Sequence, residues 1–119
     1  MPPRLRLRLH FDDGAFIGPG KADLLALIAE TGSISAAAAR MGMSYKRAWS
    51  LVEVLNAMFS GPLVASARGG AHGGGAHLTE TGQRVLVAYT TMQAAAETAA
   101  APAIIDLQAL RPPAPLSST

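Results

Sequence analysis

The sequence predicts a mainly helical domain with a small β component: a winged helix-turn-helix with an N-terminal β-hairpin and a long C-terminal dimerisation helix. Three observations predict it. Three short helical segments succeed one another between Lys21 and Phe59, parted by Gly32 and Gly42. A strand pair with a glycine-rich tip follows at 63–78, and a long helical pattern starts at Thr79. The resulting order is strand, strand, three helices, strand, strand, helix.

A chain of 119 residues makes one domain. We place it at 1–100, with 101–119 as a short extension ending in a flexible, proline-rich tail. Half of the residues are hydrophobic, much of that alanine, and aromatics are few, which favours close-packed helices over a large β core. With no cysteine there is no disulfide scaffold and no thiolate chemistry. "MPPRLRLRLH" lacks the apolar run of a secretory leader and no stretch is long enough to span a membrane, so the expected compartment is the cytoplasm. Net charge is +2, but between Thr31 and Leu78 Arg40, Lys46, Arg47 and Arg68 stand against Glu53 alone. That excess suits a polyanionic partner.

Residues 4–9, "RLRLRL", alternate strictly, putting Leu5, Leu7 and Leu9 on one face of a half-buried strand. "DDG" at 12–14 is a hairpin turn and "AFI" the returning strand. "GPG" at 18–20 breaks the pattern before "KADLLALIAET", a helix with Leu24, Leu25, Leu27 and Ile28 inward. Ser33 or Ser35 caps a second helix and Ser44 a third, whose inner stripe is Ala48, Leu51, Val52, Leu55 and Phe59. The last helix runs from Thr79 to about Ala100 and Pro102 ends it; "AIIDLQAL" is one more amphipathic turn.

Helices two and three carry the functional reading. Alanines at 36–39 let helix axes approach closely, and Gly42 permits the tight turn. Tyr45, Lys46, Arg47 and Ser50 then occupy the outer N-terminal half of helix three (44–59), the part of a recognition helix that enters a major groove. Arginine and lysine suit guanine edges or phosphates, and serine and tyrosine suit either. The alternative is a three-helix core with a solvated polar face.

Five glycines fall between Gly69 and Gly75. A phosphate-binding loop of the G-x-x-x-x-G-K-[ST] type fails, because "RGGAHGGGAH" has no lysine and leads into a strand. "GPGK" at 18–21 fails as well, and no βαβ unit supports a dinucleotide fingerprint. A wing at 67–78 fits better: glycine lets the backbone lie near a sugar-phosphate chain, with Arg68, Gly70, His72 and Gly74 at its tip and His77 on its return. A hairpin loop touching nothing is the alternative.

"GSISAAAARMGMSYKRAW" followed by "ARGGAHGGGAHLTETGQRVL" resembles the N-terminal DNA-binding domain of the molybdate-responsive transcription regulator (ModE) family, from about Arg4 to about Ala100. "ETGSISAAAARMGMS" and "LTETG" are similar, more distantly, to LysR-type regulators. The resemblance implies a homodimer that binds promoter duplex DNA through Ser33, Ser35, Ser44, Tyr45, Lys46, Arg47, Ser50 and the wing. Members of the family commonly continue into oxyanion-binding domains that sense molybdate. No residues here correspond to them, so no molybdate binding is expected in this chain.

Other constellations are read plainly. His10, His72 and His77 lack the spacing of a metal site, so no metal and no cofactor is expected. Asp12 and Asp13 are turn formers, and Ser44 has no histidine base nearby, so the chain is not read as an enzyme. Trp49 is expected to pack under the recognition helix rather than reach a DNA backbone. Arg4, Arg6 and Arg8 read as a solvated edge. Val85, Tyr89, Met92, Ala96 and Ala99 recur with the period of a coiled-coil seam and are the expected dimer contact, folding back on the first helix being the alternative. The competing function is a protein-interaction module that modulates a full-length regulator by mixed dimerisation.

Overall fold

The computed structural model describes residues 3–70 and 73–113, with side chains of 67–70 and 73–74 outside the description. Among them the chain runs β1 (Leu9–His10), β2 (Phe16–Ile17), α1 (Pro19–Thr31), α2 (Ile34–Met41), α3 (Tyr45–Met58), β3 (Val64–Gly70), β4 (Gly73–Leu78) and α4 (Glu80–Ala109). Four helices and two small antiparallel sheets, β1–β2 and β3–β4, make the winged helix-turn-helix the sequence predicts.

The "DDG" turn closes as a short hairpin. Gly14 adopts φ +91°, its N–H bonds the Phe11 carbonyl at 3.1 Å, and the Asp13 carboxylate receives the Ala15 N–H at 3.0 Å. The first strand is much shorter than the alternation suggests. Leu5 and Leu7 do turn inward between exposed arginines, but the backbone partner is a helix. The Leu7 N–H donates to Gln93 Oε1 at 2.9 Å, Gln93 Nε2 donates to the Leu5 carbonyl at 2.6 Å, and the Tyr89 hydroxyl donates to the Leu7 carbonyl at 2.6 Å. Two side chains of α4 thus replace a sheet ladder. Burial, and then Asp23, raise the Tyr89 pKa above the ordinary phenol value against the smaller opposing pull of Arg6.

Proline at 19 does not delay α1; it starts it. The first helical position needs no N–H, and the fixed φ of proline suits it. Gly32 and Gly42 end α1 and α2 in the left-handed region at φ +72° and +69°. Ser33 caps α2 by accepting the Ala36 N–H at 3.0 Å, and Ser44 caps α3 by accepting the Arg47 N–H at 3.1 Å.

The main core lies where α1, α2, α3 and the β3–β4 hairpin meet. Leu24, Leu25, Ile28, Ala37, Ala48, Leu55 and Leu63 have no exposed surface. A second, smaller cluster of Ile17, Ala22 and Tyr89, with Met58, Val85 and Met92 against it, seats α4 on the body. Asn56 joins α3 to β3: its Oδ1 accepts the N–H groups of Leu63 (2.8 Å) and Val64 (3.0 Å), and its Nδ2 donates to the Val64 carbonyl at 3.2 Å.

In the hairpin, Val64 pairs with Leu78, Ala65 with His77, Ser66 with Ala76 and Ala67 with Gly75; after an irregularity Gly70 pairs with Gly73. The hairpin is tied down at its base, where the Ala76 N–H bonds the Gly32 carbonyl at 2.9 Å.

Pro102 does not end the last helix, which continues to Ala109. Proline removes one intrahelical hydrogen bond, yet Thr98 and Pro102 are both exposed, so the Thr98 carbonyl left unserved is open to water, and the alanines around the proline favour helix. The segment "AIIDLQAL" is therefore the end of α4 rather than a separate turn, and α4 crosses the expected boundary at residue 100. Residues 114–119 of the expected tail lie outside the described residues. The radius of gyration is 18.0 Å, against about 13–14 Å for a compact chain of this length; α4 extends beyond the body.

At the start of α4 the Thr79 hydroxyl donates to the Pro62 carbonyl at 2.6 Å and accepts the Gly82 N–H at 3.0 Å. The Thr79 N–H bonds the Leu63 carbonyl at 2.9 Å. Gly82 lies so close that a Cβ there would overlap the Leu63 carbonyl oxygen. Replacing Gly82 by alanine should therefore force α4 away from β3, costing about 1–3 kcal/mol or more, measurable as a lower unfolding midpoint. A Gly82→Ala chain as stable as the parent would contradict this packing.

Candidate nucleic-acid interface

Three buried side chains set the rotation of α3 about its axis: Ala48, Val52 and Leu55 face the core. With 3.6 residues per turn, the stripe opposite them is Lys46, Ser50, Glu53 and Ala57, all exposed. Tyr45 and Trp49 share one flank of that stripe with Asn56; Arg47 and Val54 take the other. Ser44 caps the first turn by accepting the Arg47 N–H, which leaves the Tyr45 and Lys46 N–H groups without an intrahelical partner at the exposed helix start.

The expected recognition residues are thus brought together on one exposed surface: Tyr45, Lys46, Arg47 and Ser50 on α3, with Ser44 exposed at its cap. Ser35 is exposed on α2 and Ser33 half-buried at its start. The hydroxyl oxygens of Ser33 and Ser44 accept backbone N–H groups, which leaves each hydroxyl proton as the group able to meet a ligand. In the expected wing, the backbone alone is described at Arg68, Gly70 and Gly74, and His72 lies outside the described residues. His77 is exposed on β4.

Two readings of the sequence change. Trp49 does not pack beneath α3; it is 41% exposed. One residue on from Ala48, it is rotated about 100° from a buried position, and Ala48, Val52 and Leu55 already fill the inward face. Glu53, passed over in the sequence, stands on the outer stripe; the wheel anchored on the three buried residues is the signal that finds it.

The cations divide into engaged and free. Arg40 pairs with Glu30 at 3.1 Å across α2 and α1. Arg8 and Lys21 both lie over the Phe16 ring, at 3.7 and 3.4 Å from its centre, and Lys21 Nζ also donates to the Phe16 carbonyl at 3.1 Å. Burial, and secondarily the Arg8 charge, hold the Lys21 pKa below the usual lysine value. Lys46 and Arg47 have no ion-pair partner among the described residues.

The seam residues of α4 divide too. Tyr89 is 5% exposed, and Val85 and Met92 are half-buried against Ile17 and Ala22 of the same chain. Ala96 is half-buried and Ala99 exposed, while Ile105, Leu107 and Leu110 further on are well exposed. Between the N-terminal arm, α1 and this distal half lies a cleft of about 460 Å³ whose walls include Arg4, Asp23, Gln93, Glu97, Ala101 and Ile105. Among the described residues no helix is long and apolar enough to cross a membrane.

Comparison with known proteins agrees with this geometry. The chain is 47% identical over 81 residues to the molybdenum-pterin-binding protein MopB of Rhodobacter capsulatus, covering 68% of this chain and 30% of that protein. It is 40% identical over 89 residues to the DNA-binding transcriptional dual regulator ModE of Escherichia coli (strain K12), covering 75% and 34%. To the molybdenum transport protein ModE of Azotobacter vinelandii it is 35% identical over 88 residues, covering 74% and 33%. The chain thus spans about a third of the length of these relatives. Residues 21–83, which run from α1 through both helix-turn-helix elements and the hairpin into α4, match the bacterial regulatory helix-turn-helix proteins of the LysR family, and the chain belongs to that family.

Proposed function

We propose that this chain is the DNA-binding part of a transcription regulator, engaging promoter duplex DNA as a homodimer. The observation that carries the reading is the outer stripe of α3. Lys46 and Ser50 are exposed there, at the capped start of a helix held by α1 and α2, with a hairpin alongside. An α-helix of about 10–12 Å diameter fills a major groove about 12 Å wide. The outermost stripe then faces base edges and the two flanks face the phosphate walls. Lys46 and Ser50 are accordingly the base-reading residues, Arg47 a phosphate contact, and Glu53 a carboxylate suited to a cytosine amino group. To the hairpin, 67–78, we assign the adjacent backbone, with Arg68, Gly70, His72 and Gly74 as its contact residues. Ser33, Ser35 and Ser44 contribute hydroxyl contacts to phosphates.

The relatives are named for molybdenum binding or transport as well as for regulation. They share only about a third of their length with this chain, and we assign to that third the DNA contact and no molybdate contact. The cofactor-free reading rests on the same division.

Homodimer formation falls to the part of α4 that the monomer leaves uncovered. Tyr89 and Met92 are occupied inside the chain, so Ala96 and Ala99, continued by Ile105 and the cleft beside it, are the seam available to a second copy. Two α3 helices would then meet half-sites about 34 Å apart.

The two cations should separate in a binding experiment. Lys46→Ala should cost about 1–3 kcal/mol on a selected site and relax its preference. Arg47→Ala should weaken selected and random duplexes alike and lower the salt slope by about one unit. Titration of each variant by fluorescence anisotropy over a range of salt concentrations is the check, and a double variant that binds as the parent does would remove α3 from the interface.

Sedimentation tests the seam. The parent should be dimeric at tens of micromolar, and Ile105→Glu should shift it towards monomer without lowering its unfolding midpoint. A dimer indifferent to Ile105→Glu would place the contact elsewhere, and a monomeric parent would remove the dimer from the proposal.

A further inference from the structure

Tyr45 is 55% exposed and Trp49 is 41% exposed, one helical turn apart on the same flank of α3. A large aromatic pair left in water on a small chain marks a contact surface rather than a core. Which flank it is follows from Asn56. That residue shares the face, and its side chain bonds the backbone of Leu63 and Val64, where β3 begins. Tyr45 and Trp49 therefore lie on the flank of α3 whose far end is joined to the start of β3. The opposite flank carries Arg47 and Val54 instead.

We infer that Tyr45 and Trp49 form an aromatic rail for the DNA strand that runs between the recognition helix and the hairpin, packing on its sugar-phosphate backbone. The inference rests on the DNA-binding reading above and adds to it a contact made by rings rather than by charges. The occupant is chosen by chemistry. Deoxyribose presents apolar C–H groups to a ring face, and a phosphate oxygen accepts the indole N–H. A tryptophan off the outermost stripe by roughly 60–70°, from 100° per residue, meets a groove wall rather than a base edge. The contact is consequently indifferent to sequence. It positions the helix so that Lys46 and Ser50 reach the bases.

Trp49 is the single tryptophan of the chain, so its emission reports on this position alone. The full chain is titrated with a random-sequence duplex of about two helical turns, following anisotropy of a label on the DNA and Trp49 emission together. The expected result is a blue shift and protection from acrylamide quenching that saturate with the anisotropy. Trp49→Ala should weaken selected and random duplexes by a similar factor, about tenfold, with the salt slope unchanged because no charge is lost. Trp49→Phe, which keeps a ring, should recover most of that loss, whereas a merely structural role would show first in the unfolding midpoint. If anisotropy reports binding while Trp49 emission and quenching stay as in the free chain, the rail is overturned and the DNA-binding reading stands. If anisotropy reports no binding, both fall.

Discussion

The arrangement of the whole molecule hangs on small residues packed where helices cross. Ala37 and Ala48 have no exposed surface and Ala38 only 2%, and all three belong to the same buried cluster as Leu24, Leu25 and Ile28 of α1. Methyl groups bury little area each, about 1 kcal/mol at most, so their contribution is geometric. Small side chains at a crossing let helix axes approach more closely than larger ones do. A larger side chain at Ala37 or Ala48 would push α3 outward and rotate its exposed stripe. The identity of Lys46, Ser50 and Glu53 as the outermost residues is thus a consequence of what lies beneath them.

Around that crossing the chain spends polar side chains on joining elements rather than on chemistry. Asn56 holds the start of β3 to α3, Thr79 holds the start of α4 to the chain before β3, and Tyr89 with Gln93 hold the N-terminal arm to α4. Each satisfies backbone groups of the segment it holds. The cations obey a similar division. Lys21 and Arg8 are held by Phe16, and Arg40 by Glu30, while those on α3 are left to solvent. A modest net charge of +2 is therefore compatible with a concentrated basic surface.

Much of this is legible in the sequence, because the signals are local. Glycines at 14, 32 and 42, serines at 33 and 44 and the apolar stripe of α3 each act within one turn of chain, and each does what its chemistry predicts. Other features depend on partners far away in sequence or on which face the neighbours leave exposed. The alternation of "RLRLRL" correctly reports a one-sided segment but not that Gln93, 86 residues on from Leu7, replaces a neighbouring strand. Pro102 removes one hydrogen bond and crowds the Thr98 carbonyl, yet α4 continues through it where both residues are exposed and alanines surround them. Val85, Tyr89 and Met92 pack against the chain's own Ile17 and Ala22, a contact their spacing alone does not specify. For Trp49 the residue type misleads: its neighbours at 48, 52 and 55 determine the face, and they leave it outside.

The central claim is that the outer face of α3 meets duplex DNA with the hairpin beside it. The most direct measurement is backbone amide chemical shifts of the isotopically labelled chain during titration with duplex DNA. The account predicts the largest changes at Lys46, Arg47, Trp49 and Ser50 and along the hairpin from Ala65 to His77, with Gln93 and Ile105 little affected. Changes concentrated in the cleft between the N-terminal arm and the distal half of α4, with α3 silent, would contradict it.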